Sequence, residues 1–293
     1  MTEEQNNKVN EIIGIIFTKD IDDIIKNEEY IGIRLSGGID SAFMTFLTMR
    51  KYPNKKLIPI TIYNKLRPDA RIPVKKVREC LRTLNPDSIL LDPVTGEFST
   101  DGYIYTKEMQ EKWEESNYTA KFHPKDKFQR TWFKNLFLRP EFEGKLNILF
   151  SGETLNPPID VQKDLLPASP FPEDRNLKRP SLISKYRWPL GSISKGTKPG
   201  PHRYEFRPFR NMNKKDVAEL VKATGLDKTL LPLTETCEME IIHYEKYSSI
   251  FQLTYKNPGT EPCKRCWPCR EKYWAYGYYD FLTKETSNIF KQL

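Results

Sequence analysis

The stretch with the clearest capacity for chemistry is a glycine- and serine-rich loop near the start of the chain, Leu35-Ser-Gly-Gly-Ile-Asp-Ser41. It follows an apolar run and precedes a run with helical spacing of apolar side chains, which predicts a strand, a tight turn and a helix. Glycine lets a ligand approach the backbone, and the N–H groups at a helix start suit a phosphate. Ser36 and Ser41 add hydroxyl donors, and Asp40 is predicted to cap the helix and to orient the loop.

An ordinary Gly-Gly turn with an aspartate cap would share part of this string. The complete string Ser-Gly-Gly-x-Asp-Ser directly after an apolar strand is more specific and favours a phosphate-binding loop. It resembles the PP-loop of the ATP pyrophosphatases. In that family the loop holds the pyrophosphate of ATP while a substrate oxygen attacks the α-phosphate.

A second group of chemically capable residues lies near the end of the sequence, where four cysteines have the spacing C-x25-C-x2-C-x2-C. Two residues between thiols let both sulfurs face one ion, and four thiolates satisfy tetrahedral zinc. In a cytosolic protein this spacing indicates a metal rather than disulfides, although disulfides and an iron–sulfur cluster remain alternatives. With all positions filled, the zinc would be structural. The predicted ligands are Cys237, Cys263, Cys266 and Cys269.

Two further residues with metal-binding side chains are interpreted differently. Cys80 lies on an apolar helical face and is predicted to belong to the core. His243 is a substitute zinc ligand, but we expect it on a helix that follows Cys237.

The elements that must position these residues alternate between strand and helix, which predicts an α/β fold with a parallel sheet and right-handed crossovers. A fourth strand at 146–151 ends at Gly152 and Glu153, where backbone could meet a nucleotide and the carboxylate could hold magnesium or a ribose. Asn213 is predicted to cap a helix that runs to 224–225. The remaining predicted elements are helices at 7–17 and 71–84 and strands at 30–35, 57–63, 88–91 and 205–209.

Two segments interrupt this alternation. Residues 93–145 form a predicted insertion with helical patches at 107–115 and 127–137, either packed on the sheet or serving as a substrate lid. Residues 156–203 are rich in proline and basic side chains and could grip a substrate. We expect a nucleotide-binding domain at 1–225 and a zinc-binding helical lobe at 226–293, whose aromatic helix at 270–282 forms core or stacks on a base.

Bulk composition limits the class of protein. The chain has 293 residues, 38% apolar and 29% charged, and no apolar run approaches the roughly 20 residues of a membrane span. The polar, acidic start is no signal peptide, so a cytoplasmic location is expected. A net charge of +8 suits a pocket for ATP and acidic metabolites and also permits nucleic-acid contact.

The loop, the Gly-Glu pair after the fourth strand, the lysine-containing helix and the four cysteines occur in one order that resembles the QueC family, the 7-cyano-7-deazaguanine synthases. The resemblance covers about residues 30–92, 146–153 and 206–279. It implies a Rossmann-like sheet of the adenine-nucleotide α-hydrolase type, with Lys214 or Lys215 reaching the phosphates. It further implies that ATP and Mg2+ bind at Leu35, Ser36, Gly37, Gly38, Asp40, Ser41, Ile62, Tyr63, Gly152 and Glu153.

The same resemblance implies a reaction in which ATP activates a carboxylate as an acyl-adenylate and ammonia then gives an amide and finally a nitrile. The substrate would be 7-carboxy-7-deazaguanine or a related carboxylate, a nucleobase or a protein terminus, such as occur in phage and anti-phage systems. Ile39, the insertion and the proline-rich loop depart from the family and leave the substrate open. A tRNA-modifying PP-loop enzyme and a non-catalytic nucleotide-binding partner are the alternatives, and a homodimer is left open.

Overall fold

The fold is described by a computed structural model that covers most of the sheet core and parts of the remainder. The described residues are 1–65, 71–98, 104–106, 128, 132, 135–136, 139–158, 160–161, 204–236, 240–244, 250–255, 262, 264 and 267–280.

The expected α/β fold with a parallel sheet is confirmed. The strands are β1 (Tyr30–Arg34), β2 (Lys56–Asn64), β3 (Ile89–Leu90), β4 (Val94–Phe98), β6 (Ile148–Phe150) and β7 (Tyr204–Phe206). Their order is β3-β2-β1-β6-β7, with β4 also paired to β2, and every pair is parallel. Because β3 and β4 pair with successive parts of β2, they act as one interrupted edge strand. The order then matches the 3-2-1-4-5 path of a doubly wound sheet, whose ligands bind beyond the carboxyl ends of the strands.

Helices cover this sheet because their apolar residues recur on one face. They are α1 (Glu3–Ile16), α2 (Lys19–Ile25), α3 (Ile39–Lys51), α4 (Arg71–Leu84) and α5 (Lys214–Ala223). Helix α3 is buried along almost its whole length, from Ile39 to Met49. A helix that is buried all round is fixed by packing on every side, so its first turn is held in place.

Of the two predicted helix caps, the one at Asn213 is confirmed and the one at Asp40 is wrong. Asn213 caps α5, with its side chain accepting from Lys215 N and Asp216 N at 2.8 and 3.1 Å. Helix α3 is instead capped by Gly38, and no side chain hydrogen-bonds at that cap. Asp40 is the second residue of the helix, and its carboxylate lies 3.3 Å from the Lys214 ammonium.

The C-terminal region differs from the expected helical lobe. Residue His243 lies in strand β8 (Glu240–Tyr244), which pairs antiparallel with β9 (Ile250–Tyr255) and so forms a hairpin rather than a helix. Strand β5 (Ile104–Thr106) pairs with β9 and completes a three-stranded sheet. The adjacent β-branched residues Ile241 and Ile242 favour a strand, which the expectation of a helix overlooked.

Helix α6 (Trp267–Tyr276) begins within the cysteine segment and is shorter than the expected helix at 270–282. Gly277 has a φ of 82°, a left-handed conformation that ends the helix at little cost for glycine. Tyr276 and Ala275 join the main core, while Tyr273 is exposed. Of the aromatic residues described there, most therefore serve packing.

The structure describes only parts of the two segments, 93–145 and 156–203, that were expected to interrupt the strand–helix alternation. Strand β4 occupies the start of the segment expected to be a helical insertion, so the sheet continues further than the sequence suggested. Residues 128, 132, 135 and 136 are helical, within the predicted patch at 127–137. The patch at 107–115 and most of 156–203 lie outside the described residues. Over the described part of the chain, the helices are too short or too polar to cross a bilayer.

Candidate phosphate-binding site

The glycine loop lies where β1 ends and α3 begins, at the carboxyl edge of the sheet. Gly37 has a φ of 85°, a conformation that suits glycine and makes the turn possible. Ser41 Oγ donates to Gly38 O at 2.9 Å and accepts from Ser36 N at 3.2 Å, and the two serine hydroxyls are 3.1 Å apart. These bonds close the loop on itself in front of the first turn of α3.

Neighbouring strands hold the ends of the loop. Leu35 N donates to Ile60 O at 3.0 Å, and Thr61 Oγ1 donates to Leu35 O at 2.8 Å. Gly152, after β6, lies against the start of α3, where a Cβ at this residue would come within 2.8 Å of backbone atoms of Asp40 and Ser41. Gly152 therefore serves close packing of two backbones.

A buried lysine lies beneath the loop. Lys214 is the first residue of α5, its side chain is 6% exposed, and its Nζ lies 3.3 Å from Asp40 Oδ2. A cation at a helix N-terminus is opposed by the helix dipole and by desolvation, so carboxylate partners are needed to hold it. Lys215 points to solvent. Of the two lysines that the sequence offered, Lys214 is thus the one placed beside the loop.

The second carboxylate on Lys214 comes from α6, which the sequence analysis did not connect with the loop. Glu271 Oε2 lies 3.2 Å from Lys214 Nζ, and the Glu271 side chain is only 3% exposed. Two carboxylates from opposite ends of the sequence therefore share one ammonium. Both carboxylates are close enough to stabilise the buried ammonium in its charged form.

A second buried ion pair lies next to the first. Lys272, also on α6, forms a short ion pair with Asp280, and both side chains are almost fully buried. Lys272 Nζ also donates to Thr234 O at 3.2 Å. Burial is the main influence on the Lys272 ammonium and lowers its pKa, while Asp280 opposes that shift.

The segment 234–236 connects this second pair to the glycine loop. Glu235 N donates to Gly37 O at 3.0 Å, and Thr236 N donates to Asp280 Oδ2 at 2.8 Å. A Cβ on Gly38 would be 3.4 Å from Thr236 Cγ2. The segment 234–236 therefore contacts both the glycine loop and Asp280, the carboxylate that pairs with Lys272 of α6.

The remaining predicted nucleotide residues occupy varied positions. Tyr63 is buried at the end of β2, and burial raises its pKa. Ile62, on the same strand, is half-buried and packs on a smaller core cluster. Glu153 forms an ion pair with Arg207 at 3.0 Å, near the carboxyl edge of the sheet. These positions leave their contacts with a nucleotide as predictions.

Of the four predicted zinc ligands, the structure describes only Cys269. Cys269 is buried in the first half of α6, while Cys237, Cys263 and Cys266 lie outside the described residues. Within the described parts, no three metal-binding side chains cluster around a common point. Four thiols are a donor set that zinc accepts, and the burial of Cys269 is compatible with that role. Cys80 packs at the edge of the main core, as predicted, and burial raises its pKa to about 11.

Three residues of this site could have been suspected but were missed. Glu271, Lys272 and Asp280 are charged residues in an otherwise aromatic stretch. Charged side chains in such a stretch are either exposed or paired inside the core, and the sequence alone does not distinguish these cases. The structure resolves the question by burying all three.

Comparison with known proteins gives fold-level likeness and no family assignment. No protein-family model matches the chain, and no curated protein matches it. Among solved structures, it is similar to a U34-tRNA thiolase, NcsA, of Methanococcus maripaludis with its [4Fe-4S] cluster, at 14% identity and TM-score 0.43. That match covers 76% of this chain and 65% of the thiolase chain.

Two other solved structures give weaker superpositions over similar lengths. An NMN synthetase from Francisella tularensis aligns at 14% identity and TM-score 0.39, over 78% of this chain and 74% of that one. An NH3-dependent NAD synthetase from Campylobacter jejuni subsp. jejuni aligns at 14% identity and TM-score 0.36, over 78% and 76%. Identities and superpositions this low do not transfer a function, which must be argued from the site.

Proposed function

We propose that this protein is an ATP-dependent enzyme that activates a substrate carboxylate by adenylation, releasing pyrophosphate, and then forms a C–N bond with ammonia. One observation carries the proposal. The Ser36–Ser41 loop joins a central parallel strand to the start of a buried helix, and a buried lysine, Lys214, pairs with its Asp40. Backbone N–H groups, a helix start and a cation together suit a polyanion.

The residues take separate roles in this proposal. Loop N–H groups and the Ser36 hydroxyl donate to the pyrophosphate part of ATP, and the positive end of the α3 dipole favours its charge. Lys214 places positive charge beside the phosphates, and Asp40 sets the position of that ammonium. Such a site accelerates the reaction by positioning the nucleotide and stabilising charge in the transition state, without a protein nucleophile.

Magnesium fits the carboxylates near the loop. Asp40 and Glu153 offer the oxygen ligands that Mg2+ prefers, together with phosphate oxygens, and the ion would neutralise phosphate charge when bound. Leu35, Ile62 and Tyr63 lie at or near the ends of the adjoining strands β1 and β2, so they are proposed to border the adenosine.

The substrate and its nitrogen donor follow from the resemblance to the QueC family. A 7-deazaguanine-like carboxylate is the first candidate, with ammonia as the second substrate. A nucleic acid or a protein carrying a carboxylate is the alternative, because residues 93–145 and 156–203 depart from that family where substrate would be recognised.

A product assay tests the reaction class. Purified protein is incubated with ATP, Mg2+, ammonia and a panel of carboxylates, and nucleotides are separated by chromatography. AMP and pyrophosphate that depend on one carboxylate support the proposal. ADP and phosphate as the only products would contradict it, and ATP binding without turnover would favour a nucleotide-binding partner protein.

Zinc is proposed as a structural ion held by Cys237, Cys263, Cys266 and Cys269. Elemental analysis of reduced protein should give about one zinc per chain, and Cys266→Ser should lower its thermal stability because structural zinc binding adds to folding free energy. Iron with visible absorbance would instead favour the tRNA-modifying alternative. Cys80→Ser is the matched control and should leave the metal content unchanged.

A further inference from the structure

Helix α6 carries a charge directly into the phosphate site. Glu271 is two residues beyond Cys269, yet its carboxylate lies 3.2 Å from the Lys214 ammonium and is 3% exposed. Lys214 is also 3.3 Å from Asp40 in the first turn of α3. Three helices that are far apart in sequence therefore meet at one ammonium group.

We propose that Glu271 is a positioning residue that orients the Lys214 ammonium toward the phosphates of ATP, an inference that rests on the proposed function. An ammonium group has three N–H donors in fixed tetrahedral directions. Carboxylates on two sides restrict where the ammonium group can lie. A lysine held only by Asp40 would rotate about that single contact and close fully onto the carboxylate.

Glu271 offsets the burial of the Lys214 ammonium, but its negative charge does not by itself favour phosphate binding. A carboxylate close to bound phosphates repels them, and in a buried site that repulsion is strong. Placing Glu271 here therefore costs affinity for an anion unless it gains something else. Orientation of Lys214 is the gain that its contact geometry supports, because a preorganised cation loses less freedom when the phosphate arrives.

Neighbouring contacts hold Glu271 at this position. The next residue, Lys272, is buried and bound to Asp280 and to the Thr234 carbonyl, and Asp280 is in turn bound by Thr236. These bonds fix the register of α6 relative to the segment 234–236, which contacts Gly37. Glu271 is thus presented from a rigid element, as a positioning residue requires.

The test is whether removing the Glu271 charge weakens or strengthens nucleotide binding, with and without Lys214. Affinity for α,β-methylene-ATP with Mg2+ is measured by calorimetry for the full chain and for Glu271→Gln, in wild-type and Lys214→Met backgrounds. If Glu271 orients Lys214, Glu271→Gln weakens binding by about threefold or more in the wild-type background, although it removes a negative charge. In the Lys214→Met background only repulsion remains, so the same change should strengthen binding.

Two further variants keep the test decisive. Glu271→Asp retains the charge but withdraws the carboxylate by one methylene, so it should weaken binding as well and covers the case in which Glu271→Gln does not fold. Glu219→Gln makes the same charge change on the exposed side of α5 and should alter affinity by less than about twofold. Thermal melting of each variant separates lost binding from lost fold.

The outcomes separate this inference from the proposed function. Stronger binding by Glu271→Gln in both backgrounds, or unchanged binding by Glu271→Asp, would overturn the orienting role alone. Failure of the wild-type chain to bind the analogue would overturn the proposed function and this inference with it.

Discussion

Two buried lysines near the glycine loop have different surroundings. Lys214 lies between Asp40 and Glu271, and Asp40 is 17% exposed, so this cluster reaches the loop and the solvent beyond it. Lys272 is fully buried and pairs with the buried Asp280 and the Thr234 carbonyl.

The difference in charge and access indicates a difference in role. The Lys214 cluster is partly exposed through Asp40 and borders the loop where we propose that an anion binds. The Lys272 pair is balanced, sealed from water and bonded to backbone on both sides. A buried balanced pair of this kind sets the arrangement of elements, whereas the first cluster is the one that we propose meets the nucleotide.

The largest expected effect comes from breaking the Lys214 cluster at the loop. Asp40→Ala should lower the rate of AMP and pyrophosphate formation by about a thousandfold or more, because the ammonium loses the partner that places it beside the phosphates. Glu271 still pairs with Lys214, so the fold should survive. Steady-state rates with the best carboxylate of the panel check this.

Circular dichroism and melting are the controls for that variant, and Ser36→Ala tests the loop itself in the same assay. Wild-type rates in both variants would remove the loop from the mechanism.

Breaking the Lys272–Asp280 pair should lower stability more than activity, the reverse of the effect of Asp40→Ala. Lys272→Met leaves the Asp280 carboxylate buried without its cation, so we expect the free energy of unfolding to fall by about 3 kcal/mol or more. Activity per folded molecule should fall far less than in Asp40→Ala. Denaturant titrations measure the first quantity and active-site titration the second.

The matched control is Lys228→Met, which removes a lysine from an exposed position in the segment after α5. It should leave stability within about 0.5 kcal/mol. Equal losses in the two variants would mean that the buried pair has no special role.

A third change sharpens the comparison without altering any charge. Gly152→Ala places a Cβ within 2.8 Å of the backbone at Asp40 and Ser41, so the first turn of α3 must shift. A shift of that turn moves Asp40 relative to Lys214, and we expect about a tenfold loss of rate.

Gly14→Ala is its control, since that glycine is in α1 with nothing within 4 Å of the added atom. It should raise stability by about 0.5–1 kcal/mol and leave the rate unchanged. A normal rate in Gly152→Ala would show that the α3 start tolerates displacement.

The smallest effect concerns the hydroxyl of Tyr276, which lies near Asp40 and Glu271. Among the described residues, the buried Tyr276 hydroxyl has no hydrogen-bond partner, and burial, reinforced by Asp40, raises its pKa well above the usual range. The group stays neutral, so Tyr276→Phe should change stability by less than about 1 kcal/mol, toward greater stability. Tyr278→Phe is the comparison; a larger loss in Tyr276→Phe would reveal a bound partner.

Local patterns in the sequence were sufficient for much of the fold. The apolar run before the glycines, the asparagine cap at Asn213 and the apolar spacing of 71–84 each predicted the element that is present. They succeed because strand period, helix caps and helix period depend on residues within a few positions of each other. The same reason explains why the glycine loop could be placed between a strand and a helix.

Contacts between distant residues were decided only by tertiary structure. Nothing local to Glu271 indicates Lys214 as its partner, and nothing local to Gly152 indicates the backbone of Asp40. The pairing of β5 with β9 likewise joins residues that are far apart in the sequence, so no local pattern indicates it. Such contacts arise when whole elements pack, because burial forces charged groups to find partners wherever the fold brings them.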